Sequence, residues 1–266
     1  MSESEFQFDF NDGSLRGKSI LLAGGSGGLG AAAAVLLAKA GASLVIGYRR
    51  DADRAARLKQ HLSGFGVPVE TVVGDIADAD VQARYIEASR RTGSELCGLV
   101  CLVGNPARVK FEDAEIGDLE ASMAVNYFGP LLLARRFARE LQSMKQAGSV
   151  VFFSTMQAVE IFPSSIPYAG PKAALIHAAR IMAKQWGGPD GIRVNVIAPG
   201  VNQAGMALSS IASGKYNFFV EQGIIPRFGR AEDVAKVVRL LVEPDNYITG
   251  QVITVDGGLT LRRDMG

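Results

Sequence analysis

Apolar residues along this chain fall into short dense runs separated by longer periodic stretches. The runs lie at 20–23 (ILLA), 43–48 (SLVIGY), 69–73 (VETVV), 96–103 (LCGLVCLV), 149–153 (SVVFF), 193–197 (RVNVI) and 251–255 (QVITV). Between them, residues 51–65, 78–91, 118–145, 172–186 and 231–242 show helical period. Dense strands that alternate with amphipathic helices over the whole length predict a parallel sheet buried on both faces. The expected fold class is α/β, a doubly wound parallel sheet in a single domain.

No repeat, low-complexity tract or proline-rich linker divides this pattern, so residues 15–266 are expected to form one domain. A chain of 266 residues with 48% hydrophobic content can bury a large core. Residues 1–14 stand apart as an N-terminal arm. There Phe6, Phe8 and Phe10 alternate with polar residues, which suits an arm laid across the body or a partner, and equally a disordered end.

Charge narrows the partners. Lys and Arg number 28 against 27 Asp and Glu, a formal net charge of +1, so nothing here calls for nucleic acid or anionic lipid, and a small-molecule partner is expected. Cys97 and Cys101 are the only cysteines. In an extended segment they would be roughly 13 Å apart at about 3.3 Å per residue, too far for a disulfide, and they read as buried thiols in a reducing compartment. The first 15 residues carry Glu3, Glu5, Asp9 and Asp12 with no basic residue, unlike a signal peptide, which points to a cytoplasmic protein. Ser19 to Ala38 is uncharged and long enough for a membrane span. Its cluster of Gly24, Gly25, Gly27, Gly28 and Gly30 instead divides it into strand, turn and alanine-rich helix, so no membrane segment is expected.

A glycine turn between a first strand and a first helix lets backbone N–H groups and the helix's positive end approach a pyrophosphate. Gly24, Gly28 and Gly30 give the spacing G-x-x-x-G-x-G, which also serves close packing of helix on sheet. At the end of the second strand, where a carboxylate would hold a ribose 2′-hydroxyl, stand Tyr48, Arg49 and Arg50. Arginine there fits a 2′-phosphate, so NADP(H) is the expected cofactor; the alternative is that both arginines begin the next helix in solvent. Farther along, Tyr168 and Lys172 are four apart and can share a helical face, with Pro171 between them. Either the helix starts near Tyr168, where a proline lacks nothing, or it already runs by Pro167 and bends at Pro171.

Taken together, A-G-G-S-G-G-L-G at 23–30, Asp75, Asn126 in V-N-Y-F-G-P, Ser154-Thr155, Tyr168-x-x-x-Lys172, Pro199-Gly200, P-R-F-G-R-A-E-D-V-A at 226–235 and I-T-G-Q-V-I-T-V-D-G-G at 248–258 resemble, in order and spacing, the short-chain dehydrogenases/reductases. The resemblance covers the chain from about residue 15 and is greatest to the subgroup of 3-oxoacyl-[acyl-carrier-protein] reductases and related secondary-alcohol dehydrogenases. It implies a Rossmann-like fold and hydride transfer between a ketone and a secondary alcohol. It further implies catalytic roles for Asn126, Thr155, Tyr168 and Lys172. Cofactor binding would fall to Gly24, Ser26, Gly28, Leu29, Gly30, Arg49, Asp75, Ile76, Gly104, Tyr168, Lys172, Pro199 and Gly200. Tyr168 would be acid and base, its anion favoured by Lys172 and the oxidised nicotinamide, with the lysine also on the nicotinamide ribose and Asn126 ordering a relay water. Homotetramers, or homodimers, are implied through the helix after Tyr168, rich in Ala173, Ala174, Ala178, Ala179 and Ala183, and the edge of the last strand.

The chain departs from that family in places. Counting 13 residues back from Tyr168 reaches Thr155, with Ser154 the alternative if the loop differs by one residue. The usual N-N-A-G is Cys101-Leu102-Val103-Gly104, so the sheet loses asparagine amides for which Asn105 compensates at most in part. P-G-V-N-Q-A places Ala204 where relatives have a threonine on the nicotinamide carboxamide. These departures leave room for a nucleotide-binding sensor or assembly protein that has lost turnover; retention of Asn126, Tyr168 and Lys172 favours the enzyme. The enoyl-reductase branch usually spaces its tyrosine and lysine wider. His61 and His177 have no ligand partners at metal spacing, so no metal is expected. Residues 206–228, with Met206, Leu208, Ile211, Phe218 and Phe219, are expected to cover the substrate, and together with Met156, Ile161 and Phe162 suit an acyl or ring-bearing ketone.

Overall fold

The computed structural model describes residues 13–262, so the arm expected over 1–14 lies outside the described residues apart from Gly13 and Ser14. Each apolar run forms a strand: β1 (Lys18–Ala23), β2 (Ser43–Tyr48), β3 (Val69–Val73), β4 (Glu95–Cys101), β5 (Gly148–Phe153), β6 (Ile192–Pro199) and β7 (Val252–Val255). They make one seven-stranded sheet in the order β3-β2-β1-β4-β5-β6-β7, parallel throughout. The chain runs outward from β1 to β3, then returns to lay β4 on the other side of β1. That reversal opens a crevice at the carboxyl ends of the strands.

Helices α1 (Gly28–Lys39), α2 (Ala52–Ser63) and α9 (Ala231–Val242) cover one face, and α3 (Ala79–Arg91), α5 (Gly129–Met144) and α6 (Ile166–Asp190) the other. Successive side chains of β1 show why its sequence has no polar alternation. Ile20 and Leu22 enter the first core, Leu21 and Ala23 the second, because side chains alternate across a sheet whose two faces are both dry. Cys97 and Cys101 on β4 are buried free thiols, which burial pushes up to about 12. No helix among the described residues is long and apolar enough to cross a membrane.

Two helices differ from the periodicity. The single stretch expected over 118–145 is α4 (Ile116–Met123), one π-helical turn over Ala124–Phe128, and α5. The π turn interrupts the ladder at Asn126, whose side chain is committed to other partners. Helix α6 starts at Ile166, two residues before Tyr168, so Pro167 takes the harmless second position and Pro171 lies inside the helix. Gly191, at φ +66°, ends it in the left-handed conformation. Beyond β6, α7 (Leu208–Ala212) and α8 (Asn217–Glu221) rest on a small separate core of Met156, Val201, Phe219, Ile224, Ile225 and Leu259.

Candidate active site

A cavity of about 840 Å³ lies in the crevice at the carboxyl ends of the strands. Gly24, Ser26, Gly28, Leu29, Gly30, Arg49, Asp75, Ile76, Gly104, Thr155, Tyr168, Lys172, Pro199 and Gly200 all border it. Asn126 does not; it is fully buried behind Gly104, where an added Cβ would lie 3.3 Å from its Oδ1.

The glycine turn follows from sterics. Gly24 has φ +81°, and a Cβ on Gly30 would come within 2.6 Å of Gly24 O, so the strand-to-helix turn closes only on bare backbone. Gly27 caps α1 without a side chain, and no acid occupies the first turn. The free N–H groups and positive end of that helix suit a phosphate, so the residues present fit a dinucleotide. Gly28 has a further duty: a Cβ there would lie 2.6 Å from Gly205 N, so the covering segment passes directly over the turn.

Arg49 and Arg50 precede α2 rather than beginning it, since Asp51 is its cap and accepts from Arg54 N at 2.8 Å. The acid nearest Arg49 in sequence is thereby occupied. Arg49 Nε lies 3.4 Å from Asp75 Oδ2, an exposed pair of little net strength that another anion can displace. Asp75 also accepts from Ala77 N at 3.0 Å, which shapes the turn after β3.

Beneath the opposite end sits a buried polar cluster. Lys172 is 1% exposed, and its Nζ donates to Phe153 O at 2.8 Å and Val103 O at 3.1 Å, at the ends of β5 and β4. Burial lowers its pKa from 10.5 to about 8, partly countered by Cys101. Tyr168 is raised from 10 to about 12 by burial, and the Thr155 hydroxyl beside it takes back part of the rise. The Lys172 ammonium is turned to two carbonyls, and desolvation is the largest influence on the phenol. Ser154 also borders the cavity, with its hydroxyl donating to Lys172 O at 3.1 Å, whereas the Thr155 hydroxyl lies beside Tyr168.

The loss of the family's asparagines after β4 is met by backbone. Leu102 N donates to Ala23 O at 2.8 Å, while Asn105 Oδ1 accepts from Ala107 N in its own loop rather than tying the sheet. Asn105 N and O instead exchange hydrogen bonds with the Asn126 amide at 3.0 and 2.9 Å.

Sequence reasoning missed several contributors. Ser122, buried one turn before Asn126, carries a signal in its i, i+4 spacing. Arg108 donates to Met206 O and Ser209 Oγ at 2.9 and 3.0 Å and so joins the loop after β4 to the cover. Asn202, 3% exposed, donates to Gly200 O and lies against Gly229. Lys110 and Lys215 add two more cations to the cavity's edge. Conversely, Ile161 is 77% exposed and does not border the cavity, while Phe219 and Phe162 pack in the small core; Met156, Met206 and Tyr216 border the cavity together with Val109, Pro163 and Val201.

The family model described as Enoyl-(Acyl carrier protein) reductase matches residues 23–260. A glucose 1-dehydrogenase of Gluconobacter oxydans (strain 621H) is 32% identical over 253 residues, covering 93% of this chain and 94% of the relative. Among solved structures, a 7α-hydroxysteroid dehydrogenase complexed with NADH and 7-oxo glycochenodeoxycholic acid superposes with TM-score 0.86 at 27% identity, over 94% of this chain and 98% of that one. A short chain dehydrogenase from Burkholderia cenocepacia J2315 in complex with NADP gives TM-score 0.82 at 28% identity, over 92% and 98%.

Proposed function

The chain belongs to the short-chain dehydrogenase/reductase family, oxidoreductases acting on CH–OH groups with NAD(P)(H), and from that premise we propose an NADP(H)-dependent enzyme that interconverts a ketone and a secondary alcohol. The observation that carries this reading is the convergence of Tyr168, Thr155 and buried Lys172 on one end of a cavity whose other end is an uncapped helix N-terminus. The nicotinamide would supply or take the hydride. Gly24, Ser26, Gly28, Leu29 and Gly30 would hold the pyrophosphate on backbone N–H groups, Arg49 the 2′-phosphate, and Asp75 and Ile76 the adenine side. Gly104, Pro199 and Gly200 would frame the nicotinamide end.

Tyr168 gives the proton to the carbonyl oxygen in reduction. With its pKa about 12 it is fully protonated at neutral pH, which suits an acid better than a base. Thr155 donates to the same oxygen and polarises the carbonyl. Lys172, with a pKa of about 8, lies where a neutral-pH proton can be passed on, and Asn126 holds the loop that carries its acceptor Val103. The substrate end pairs Met156, Met206 and Tyr216 with Arg108, Lys110 and Lys215 and no carboxylate, which supports a ketone with an apolar body and an anionic end, a 3-oxoacyl thioester whose thiol carrier bears a phosphate being one such. The four-residue step from Tyr168 to Lys172 favours this over an enoyl substrate.

A panel of thioester, cyclic and steroid ketones and an enoyl thioester, followed by nicotinamide absorbance with NADPH and NADH, tests the reading. Ketone turnover lost in Tyr168→Phe upholds it. No turnover on any member, with nucleotide binding intact, would instead support a sensor or assembly role. A two-fold oligomer, homotetramer or homodimer, accompanies the proposal: Ala173, Ala174 and Ala178 stay on the outer side of α6, whereas Ala179 and Ala183 pack on its own sheet. Light scattering at micromolar concentration checks it, a monomer counting against.

A further inference from the structure

Pro171 leaves a defect next to the proposed acid. In an α-helix the N–H of residue i serves the carbonyl of residue i−4, and proline has no N–H. The carbonyl thus stranded inside α6 belongs to Pro167, a buried residue immediately before Tyr168.

Another helix supplies the missing donor. Ser122 Oγ, from α4, donates to Pro167 O at 2.5 Å, and Ser122 is 1% exposed. The same oxygen accepts from Asn126 Nδ2 at 3.0 Å. Asn126 spends its other amide groups on Asn105 N and O, two residues from Val103, whose carbonyl holds Lys172 Nζ. A continuous buried chain therefore runs from the anchor of Lys172, through Asn126 and Ser122, to the first turn that carries Tyr168.

We propose that Ser122 is a positioning residue for Tyr168: its hydroxyl replaces the N–H that Pro171 lacks, and by seating the Pro167 carbonyl it fixes the first turn of α6 so that the phenol meets Thr155. The proposal rests on the function read above. Ser122 touches neither cofactor nor substrate; it acts through the backbone. Without it, a carbonyl and one N–H of the Asn126 amide, which keeps its bonds to Asn105, are left unpaired in a dry site, and the first turn must shift to find water.

The decisive experiment restores the missing donor by a second route. Ser122→Ala should lower kcat by about 10- to 100-fold, the size expected for a small misplacement of a catalytic group, while the KM for NADPH stays within about 3-fold. Ser122→Thr, which keeps the donor, should stay near the parent. In the double variant Ser122→Ala/Pro171→Ala, residue 171 regains its N–H and kcat should recover most of the loss. Ultraviolet difference titration against Tyr168→Phe gives a readout independent of turnover: the phenol's pKa should fall from about 12 toward 10 in Ser122→Ala as water enters, and rise again in the double variant. Should Ser122→Ala not fold, a folded and active double variant upholds the proposal and an unfolded one overturns it. Unchanged kcat in Ser122→Ala, or a double variant no better than Ser122→Ala, overturns it as well. If Tyr168→Phe itself keeps turnover, the function reading fails instead, which separates the two.

Discussion

The floor of the cavity and its rim are built on opposite terms. On the floor, Asn126, Ser122 and Lys172 are no more than 1% exposed, and every polar group of theirs named above has a fixed partner. On the rim, Arg49 has a side chain 54% exposed in a loose ion pair, and Met206 is 45% exposed, while Leu208 and Phe218, on the covering segment but outside the cavity lining, are 52% and 43% exposed. Water can replace a lost contact on the rim but not on the floor, where a deletion strands its partner. The floor should therefore tolerate almost no change, and the rim should trade one ligand for another.

The sharpest break of that contrast is Tyr168→Phe. Removing one hydroxyl above the floor should cut turnover by about 10² to 10⁴-fold, with cofactor affinity within a few-fold, as single-turnover kinetics and fluorescence titration can separate. Lys172→Met probes the floor itself through stability. A lysine whose pKa drops from 10.5 to about 8 on folding is disfavoured while charged. That penalty is complete below pH 8 and fades as pH rises toward 10.5, because the unfolded chain then holds the extra proton. Relative to Lys172→Met, the parent should gain on the order of 3 kcal/mol between pH 7 and pH 11, read by urea denaturation at both. Cys97, Tyr85 and Tyr168 also titrate abnormally, but parent and variant share them; Cys101, whose thiol pKa the ammonium lowers, does not cancel, so both proteins are compared in a Cys101→Ala background. A constant difference between parent and variant would contradict the buried ammonium.

Moving to the rim, Arg49→Ala should weaken NADPH binding by about 10- to 100-fold, the worth of charge-assisted bonds to a phosphate, and leave NADH almost unchanged. Equal losses would remove the NADP assignment. Phe218→Ala, on the covering segment outside the cavity lining, should alter KM for ketones by no more than about 3-fold and stability by less than about 1 kcal/mol. A loss as large as that from Tyr168→Phe would erase the distinction between floor and rim.

The same distinction explains what the sequence disclosed. Every strand was legible, because a strand buried on both faces must be a dense apolar run, and the glycine turn was legible because only bare backbone closes it. The positions of Tyr168, Lys172 and Thr155 followed from motif spacing. The two carbonyls that hold Lys172 did not, since any residue carries a carbonyl and the choice of Val103 and Phe153 is made by the sheet. The break at Asn126 escaped because a π turn keeps the hydrophobic period on either side. The start of α6 stays open in the sequence between Tyr168 and a helix already running by Pro167, because a proline suits a first turn as well as a bend; the second holds, and Ser122, far away in sequence, makes Pro171 tolerable inside. Which of the apolar residues Met156, Ile161 and Phe162 would border the cavity was not legible, because apolar character says nothing of direction on a loop; only Met156 does.

For anyone wishing to redesign the substrate range, the contact of Gly205 with Gly28 divides the cover into two unequal parts. Insertions at 204–205 would push on the turn that begins α1 and so disturb nucleotide recognition along with the intended change. The atoms nearest a Cβ at Gly28 belong to Ala204 and Gly205, so residues from Met206 onward offer the freer library. Selection schemes that randomise 206–216 while holding 204–205 constant should yield altered ketone preference without altered cofactor preference, whereas libraries that vary the whole segment should return variants in which the two are entangled.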